Sequence, residues 1–255
     1  MARTMARYDF RSPRLYVDQP LQAGGAASLD EAQAHYLRDV LRLKPGDHVL
    51  VFNGREGEWR GAVEVAGKRS MAVRLEAQAR PQEGGCDLHY LFAPLKRARL
   101  DYMVQKAVEL GVARLVPVMT RHTQAERVNV ARMRANAIEA AEQCGVLRLP
   151  ETAAPVALAE ALAALAPERL LIFCDEDAPI ADPAAALAAA AGAAALAVLV
   201  GPEGGFAAEE RASLLARRNI VRLALGPRIL RADTAAVAAL ALVQTVLGDW
   251  RAGGG

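Results

Sequence analysis

The sequence predicts an α/β protein in two parts: a small antiparallel β-barrel or sheet over residues 1–80, then an α/β domain over 81–255 whose mostly parallel sheet carries helices on both faces. Three observations carry this prediction. Up to Arg80, short runs alternate apolar and polar residues between Gly-bearing turns (PGD, NGREGE, AGKR), the pattern of half-buried antiparallel strands. Beyond it, short apolar runs alternate with helical stretches, as in a sheet buried on both sides. Between them, Arg80-Pro81-Gln82-Glu83-Gly84-Gly85 is polar and carries Pro and Gly, a natural linker.

The elements follow in order. RLYVD, DHVLVFNG, EWRGAVEVAG and SMAVRLEA read as strands, interrupted by one helix. Ser28 and Glu31 have capping-box spacing ahead of that helix, AQAHYLRDVLRL. LHYLFA (88–93) is a strand, and the helix after it, through DYMVQKAVEL, stops at Gly111. RLVPV (114–118) is a strand, and a helix from Asn129 to Cys144 stops at Gly145. RLLIF (169–173), LAVLV (196–200) and IVRLAL (220–225) are further buried strands, and no repeat period is present.

Composition narrows the class. Of 255 residues, 53% are hydrophobic and 24% charged, which excludes a disordered or collagen-like chain. Only 5% are aromatic, so Ala, Val and Leu must fill the core. Three cysteines with no close pair fit neither a disulfide framework nor a zinc cluster and point to reducing cytosol. The N-terminus MARTMARYDFRSPR is basic and lacks the apolar run of a signal peptide. The uncharged stretch from Pro183 to Pro202 is long enough to cross a bilayer. It is rich in weakly hydrophobic Ala and divided by Gly192, so it reads as a helix and a short strand.

Charge is uneven along the chain. Residues 1–150 carry 23 Lys/Arg against 17 Asp/Glu, and residues 151–255 carry 8 against 12. A basic front half suits a polyanionic partner. A solvated face accounts for the same numbers.

Four segments carry candidate chemistry. Val200-Gly201-Pro202-Glu203-Gly204-Gly205-Phe206 follows a strand and precedes the helix AAEERASLLARR, so its backbone is open to a ligand. It is neither a P-loop nor a G-x-G-x-x-G fingerprint. As structure alone it is a tight turn. In Leu225-Gly226-Pro227-Arg228-Ile229-Leu230-Arg231-Ala232-Asp233-Thr234, Asp233 or Thr234 makes a good N-cap. Arg231 stands between an apolar pair and a helix start, where a solvated Arg is not required. Lys96, Arg97, Arg99 and Lys106 form a basic cluster that either solvates a face or meets phosphates. Glu142 and Gln143, near a helix end, bind a base edge or merely cap it. The four histidines lack ligand spacing, and none of the cysteines has an identifiable base.

Together, the order RLYVDQPL, HYLRDVLRLKPGDHVLVFNG, VQKAVELGV, AAEQCG, VGPEGGF and LGPRILRADTA resembles the bacterial 16S ribosomal RNA uridine-N3 methyltransferases, of the SPOUT superfamily of S-adenosylmethionine-dependent enzymes. The resemblance runs from Arg14 to Asp249. It implies a PUA-like RNA-binding barrel over 1–80 and a trefoil-knotted α/β methyltransferase domain over 81–255, a knot that no sequence pattern would suggest. It further implies a cytoplasmic homodimer that needs neither membrane nor metal and acts on 16S rRNA of the small ribosomal subunit. By that resemblance Leu199, Gly201, Pro202, Gly204, Gly205, Leu225, Gly226, Ile229 and Leu230 cradle S-adenosylmethionine. Arg14, Arg38, Arg42, Lys96, Arg97, Lys106 and Gln143 meet RNA. Arg231 stabilises the uracil imide anion, and Glu203 or Asp233 accepts its proton. Two positions depart from the family pattern: Asp233 stands where Glu is usual, and Val146 where Arg is usual. A non-catalytic rRNA-binding assembly factor is the alternative. A nucleotide-dependent oxidoreductase is disfavoured by the missing fingerprint spacing.

Overall fold

The computed structural model describes residues 11–67, 70–125, 127–180 and 182–251. The first ten residues of the basic N-terminus and the Lys68-Arg69 turn lie outside the described residues. The chain divides into two units, residues 1–83 with 141–148 and residues 84–140 with 149–255. The segment 141–148 therefore groups with the N-terminal part, which a contiguous division at residue 80 does not anticipate.

The N-terminal unit is a curled five-stranded sheet. Its elements are β1 (Arg14–Tyr16), β2 (Ala26–Ser28), α1 (Glu31–His35), β3 (His48–Phe52), β4 (Glu58–Val65) and β5 (Met71–Arg80), in sheet order β1-β3-β4-β5-β2. The pairings are antiparallel except β1 with β3, which is parallel, so the sheet is mixed rather than wholly antiparallel. Its inward residues, Leu15, Val49, Val51, Val63, Val73 and Leu75 among them, pack with Ala34 and Leu37 from the helical segment.

That segment corrects the sequence reading. Ser28 ends β2, and its backbone N–H and carbonyl pair with the Gln19 amide. The N-cap is Asp30, whose carboxylate accepts from Gln33 N (2.8 Å) while Gln33 Oε1 accepts from Asp30 N (3.1 Å). The same reciprocal satisfaction of orphan donors operates two residues further on. The expected twelve-residue helix also shortens. After His35 the chain widens into a π turn over Tyr36–Val40, with Leu41 N donating to Tyr36 O at 2.9 Å.

At the heart of this unit lies a buried charge cluster. Glu58 is 4% exposed and accepts from Arg14 Nε (2.7 Å) and from Arg80 Nε (2.8 Å) and Nη2 (3.0 Å). Arg14 also donates to the carbonyls of Ala141, Glu142 and Val146, and Arg80 to that of Gly145. These carbonyls lie at a helix C-terminus, where backbone acceptors lack helical partners and favour cations. Burial alone pushes the Glu58 carboxyl up, but the hydrogen bonds from Arg80 and Arg14 outweigh it and hold it below the usual glutamate range.

The second unit contains β6 (Asp87–Phe92), α2 (Arg97–Glu109), β7 (Arg114–Met119), α3 (Val130–Cys144, its last turn grouping with the first unit), β8 (Glu151–Thr152), β9 (Val156–Ala157), α4 (Leu158–Ala164), β10 (Leu170–Cys174), α5 (Pro183–Ala188), β11 (Ala195–Val200), α6 (Ala208–Leu215), β12 (Ile220–Leu223) and α7 (Ala232–Val246). The sheet runs β12-β10-β11-β6-β7-β8, with β9 also on β7, and every pairing is parallel. Alternation along each strand divides the side chains between two faces. Leu91, Val116, Leu171, Phe173, Ala197 and Leu199 pack beneath α4 and α6. Tyr90, facing the other way, donates its hydroxyl to Met103 Sδ of α2 at 3.1 Å, and Gln244 of α7 donates to Leu110 O at 2.6 Å. The Ala-rich stretch forms α5 and then β11, and among the described residues no helix is long and apolar enough to cross a membrane.

Two stability predictions follow from the buried charges. Replacing Glu58→Gln leaves two buried guanidiniums without their counter-charge and should cost about 3–5 kcal/mol in urea denaturation. Burial, and after it the charge of Arg169, lowers the His89 pKa from 6.5 to about 4. The unfolded chain therefore takes up a proton that the folded chain refuses. This contribution is complete above pH 6.5 and is lost as pH falls toward 4. With solvent screening, about 1–2 kcal/mol should disappear across that window and be retained in His89→Gln, as measured by denaturation at each pH.

Candidate active site at the carboxyl edge of the parallel sheet

All strands of the parallel sheet end on one edge, where ligands of open α/β sheets bind. Residues 201–207 follow β11, residues 224–231 follow β12, 93–96 follow β6, and 175–177 follow β10. A pocket of about 400 Å³ is lined by Pro94, Leu95, Lys96, Arg97, Ala98, Arg99, Gln124, Pro202 and Glu203. The structure thus brings Lys96 and Arg97 together with Pro202 and Glu203. Arg99 donates to Glu203 at 2.5 Å across this pocket, both side chains remaining over two-fifths exposed.

The glycines of the 201–205 turn have separate reasons. A Cβ on Gly201 would lie 2.4 Å from the Phe206 ring, which itself packs edge-on against Phe173 at 5.3 Å. Gly205 (φ +71°) and Gly226 (φ +102°) adopt the left-handed region, with nothing within 4 Å of a built Cβ. At both positions the backbone angle, not crowding, calls for glycine. His122 Nδ1 lies 3.1 Å from Gly205 O, and the Glu210 carboxylate accepts from Ala207 N and Arg121 N, both at 2.9 Å. The turn is thereby anchored on both flanks. Leu199 is fully buried in the sheet, its strand paired through Phe173 on one side and Leu91 on the other.

The 225–231 loop is the more open of the two. Ile229 is 99% exposed, Leu225 and Leu230 are half-buried, and neither they, Gly226 nor Arg231 lines the 400 Å³ pocket. α7 begins at Ala232 with Arg231 as N-cap residue, so neither Asp233 nor Thr234 caps it. Asp233 sits inside the first turn and accepts from Thr234 N at 3.0 Å. The Arg231 side chain is exposed and has no ion-pair partner among the described residues.

Three residues that the sequence reading passed over brace this edge. Asp175, its side chain fully buried, accepts from Arg211 Nη1 (2.7 Å) and Nη2 (3.1 Å) and from Arg222 Nε (2.6 Å). Burial alone would raise its carboxyl, but the bonds from Arg211 and Arg222 prevail and hold it low. This ties the end of β10 to the helix after the first loop and to the strand before the second. The only hint was Arg222, a charge inside the apolar run IVRLAL. Burial, and after it Asp175, raises the neighbouring Cys174 thiol to about 12, which removes it as a nucleophile.

The residues expected to meet RNA are placed unevenly. Arg38 and Arg42 are exposed, Arg38 pairing with Asp39 at 2.7 Å and Arg42 holding φ +57°. Lys106 is partly buried and bonds Glu109 at 2.7 Å. Gln143 is exposed. Arg14 is a correction: its side chain is 9% exposed and fully engaged by Glu58 and the 141–146 carbonyls, so it serves the fold.

Comparison with known proteins places this architecture in a class. Residues 82–244 match the model of an RNA methyltransferase domain, and residues 29–76 that of an RNA methyltransferase PUA domain. The chain belongs to the RNA methyltransferase family. It is similar to the ribosomal RNA small subunit methyltransferase E of Rickettsia conorii, at 30% identity over 91% of this chain and 94% of that one. The protein of that name from Synechocystis is 31% identical over 86% of this chain and 73% of its own. Among solved structures, a putative methyltransferase from Legionella pneumophila in complex with S-adenosylmethionine superposes with a TM-score of 0.80 at 28% identity, covering 94% of this chain and 99% of that one. The Neisseria gonorrhoeae ribosomal RNA small subunit methyltransferase E bound to S-adenosylmethionine also has a TM-score of 0.80, at 26% identity, over 94% of this chain and 100% of that one.

Gly201→Ala should force the Phe206 ring aside and cost about 1–3 kcal/mol in equilibrium denaturation. Gly204→Ala, whose Cβ would meet His122 at an ordinary 3.4 Å, should cost far less.

Proposed function

We propose that this protein transfers the methyl group of S-adenosylmethionine to N3 of a uridine in 16S rRNA of the small ribosomal subunit. The observation that carries the reading is the likeness, over more than nine-tenths of both chains, to two structures described with S-adenosylmethionine bound. The relatives' name supports small-subunit ribosomal RNA as the substrate, and uridine N3 is what the sequence resemblance implies. The left-handed Gly205 and Gly226 and the apolar Leu225, Ile229 and Leu230 suit an adenosine and the methylene chain of a methionine moiety held mainly by main-chain groups.

Leu199, Gly201, Pro202, Gly204, Gly205, Leu225, Gly226, Ile229 and Leu230 would hold the cofactor, which supplies an electrophilic sulfonium methyl. Uracil N3 is protonated at neutral pH, and the charge left on deprotonation spreads to O2 and O4. A guanidinium donating to one of these oxygens stabilises the anion while leaving N3 open to the methyl group. Arg231, exposed and without an ion-pair partner among the described residues, takes that role. Glu203 already accepts from Arg99, whereas among the described residues the Asp233 carboxylate bonds only the neighbouring Thr234 N–H, which favours Asp233 as proton acceptor. The target base must be unpaired or flipped, since N3 lies on its pairing edge. Arg38, Arg42, Lys96, Arg97, Lys106 and Gln143 would contact the RNA.

The wholly exposed Ile229 and the half-buried Val237, Leu242 and Val246 of α7 suit burial against a second copy. A cytoplasmic homodimer with a trefoil knot at the cofactor loops completes the reading.

Small subunits lacking the modification, incubated with protein and S-adenosylmethionine and digested to nucleosides, should yield 3-methyluridine by mass spectrometry. Cofactor binding without any methylated nucleoside would refute the assignment. Arg231→Ala should lower kcat by at least about a hundredfold while leaving the cofactor Kd within about twofold. Equal losses in both would remove Arg231 from the chemistry.

A further inference from the structure

A second cavity enters the scheme above through one residue only, Gln143. Of about 210 Å³, it is lined wholly by residues of the N-terminal unit. Its floor is Arg14, Glu58 and Arg80, its apolar wall Pro13, Leu41 and Leu50, and its rim Arg11, Ser12, Tyr36, Glu142 and Gln143. We propose that this cavity binds one unpaired nucleotide of the RNA substrate, the base stacking on Tyr36 and presenting its edge to Gln143. The proposal rests on the RNA-methyltransferase reading for the nature of the ligand.

Size and chemistry both point this way. The volume falls below the roughly 300–1,000 Å³ of cavities that hold drug-sized ligands, and a single base is a compact occupant. The lining mixes apolar side chains with polar atoms, as a flat heterocycle with hydrogen-bonding edges requires. Tyr36 is 38% exposed, its ring accessible for stacking. The Gln143 amide is exposed and offers both donor and acceptor. An acidic peptide fits less well, because the floor guanidiniums are committed to Glu58 and to the 141–146 carbonyls. Those bonds make the floor rigid, so its shape is set before a ligand arrives.

A separate observation concerns the backbone that carries the rim. Tyr36 opens the π turn, Leu41 closes it, and the next residue, Arg42, is the one non-glycine residue with positive φ among those described. Isolated π turns and left-handed non-glycine residues gather at functional sites. Here both lie in the short stretch that supplies Tyr36 and Leu41 to the cavity.

The test uses the full chain and 16S rRNA carrying 4-thiouridine. After photocrosslinking, peptides bearing Tyr36 or Gln143 should carry RNA adducts. Tyr36→Ala should raise KM for unmodified small subunits about tenfold, the loss of one base–aromatic stack, with kcat and the Kd for S-adenosylmethionine unchanged. Tyr36→Phe should restore the wild-type KM. Gln143→Ala should raise KM as well. Wild-type KM in Tyr36→Ala and Gln143→Ala, together with adducts only outside residues 36–41 and 142–145, would overturn the proposal while wild-type methylation left the enzymatic reading intact. Adducts at Tyr36 in a protein that fails to methylate any subunit would do the reverse, sustaining the nucleotide site and removing the enzyme assignment.

Discussion

Parallel pairing is the constraint on which the catalytic half of this protein depends. Because β12, β10, β11, β6, β7 and β8 all run the same way, every strand must be followed by a crossover, and every segment leaving a strand does so from one edge. The 201–207 turn, the 224–231 loop, the basic 94–99 segment and the Asp175 carboxylate reach that edge for this one reason. Both faces of the sheet are occupied by helices, so the edge is where a ligand can meet main chain without displacing core.

Within that edge, rigidity and openness are divided between the two loops. The 201–207 turn is gripped by Phe206 on Phe173, His122 at Gly205 O and Glu210 on two backbone amides. The 225–231 loop holds Ile229 out in water and leaves Arg231 without a partner among the described residues. Asp175 reaches the flanks of both through Arg211 and Arg222. One loop is held in shape by its own protein. The other presents groups whose partners must come from outside it.

Much of this was legible in the sequence where burial dictates pattern. Apolar runs such as LLIF and LAVLV are strands because only a doubly covered sheet can bury every residue of them, and the glycines after Leu110 and Cys144 stop their helices. Short-range competition was harder to read. Ser and Asp both suit a cap, but Ser28 ends β2 paired with Ala72, and the helix starts two residues later on Asp30. Tertiary commitments were not legible at all. Arg14 has the same letter as a phosphate-binding arginine, and only the folded chain brings Glu58 and the 141–146 carbonyls to it. Asp175 belongs to no motif in the sequence, and its partner Arg211, 36 residues away, meets it only in the folded chain.

The buried Arg14–Glu58–Arg80 cluster carries a historical consequence as well as an energetic one. Its three positions lie far apart in the chain yet form a single electrostatic unit: a change at Glu58 strands two guanidiniums in the interior, and a change at either arginine strips buried acceptors of their donor. A lineage that replaced it with apolar packing would have to alter all three together or pass through poorly folded intermediates. Drift at the exposed rim of the same cavity carries no such folding penalty, so selection acts there only through what the cavity binds. Tyr36 and Gln143 can then follow a change of ligand while the floor beneath them is inherited whole.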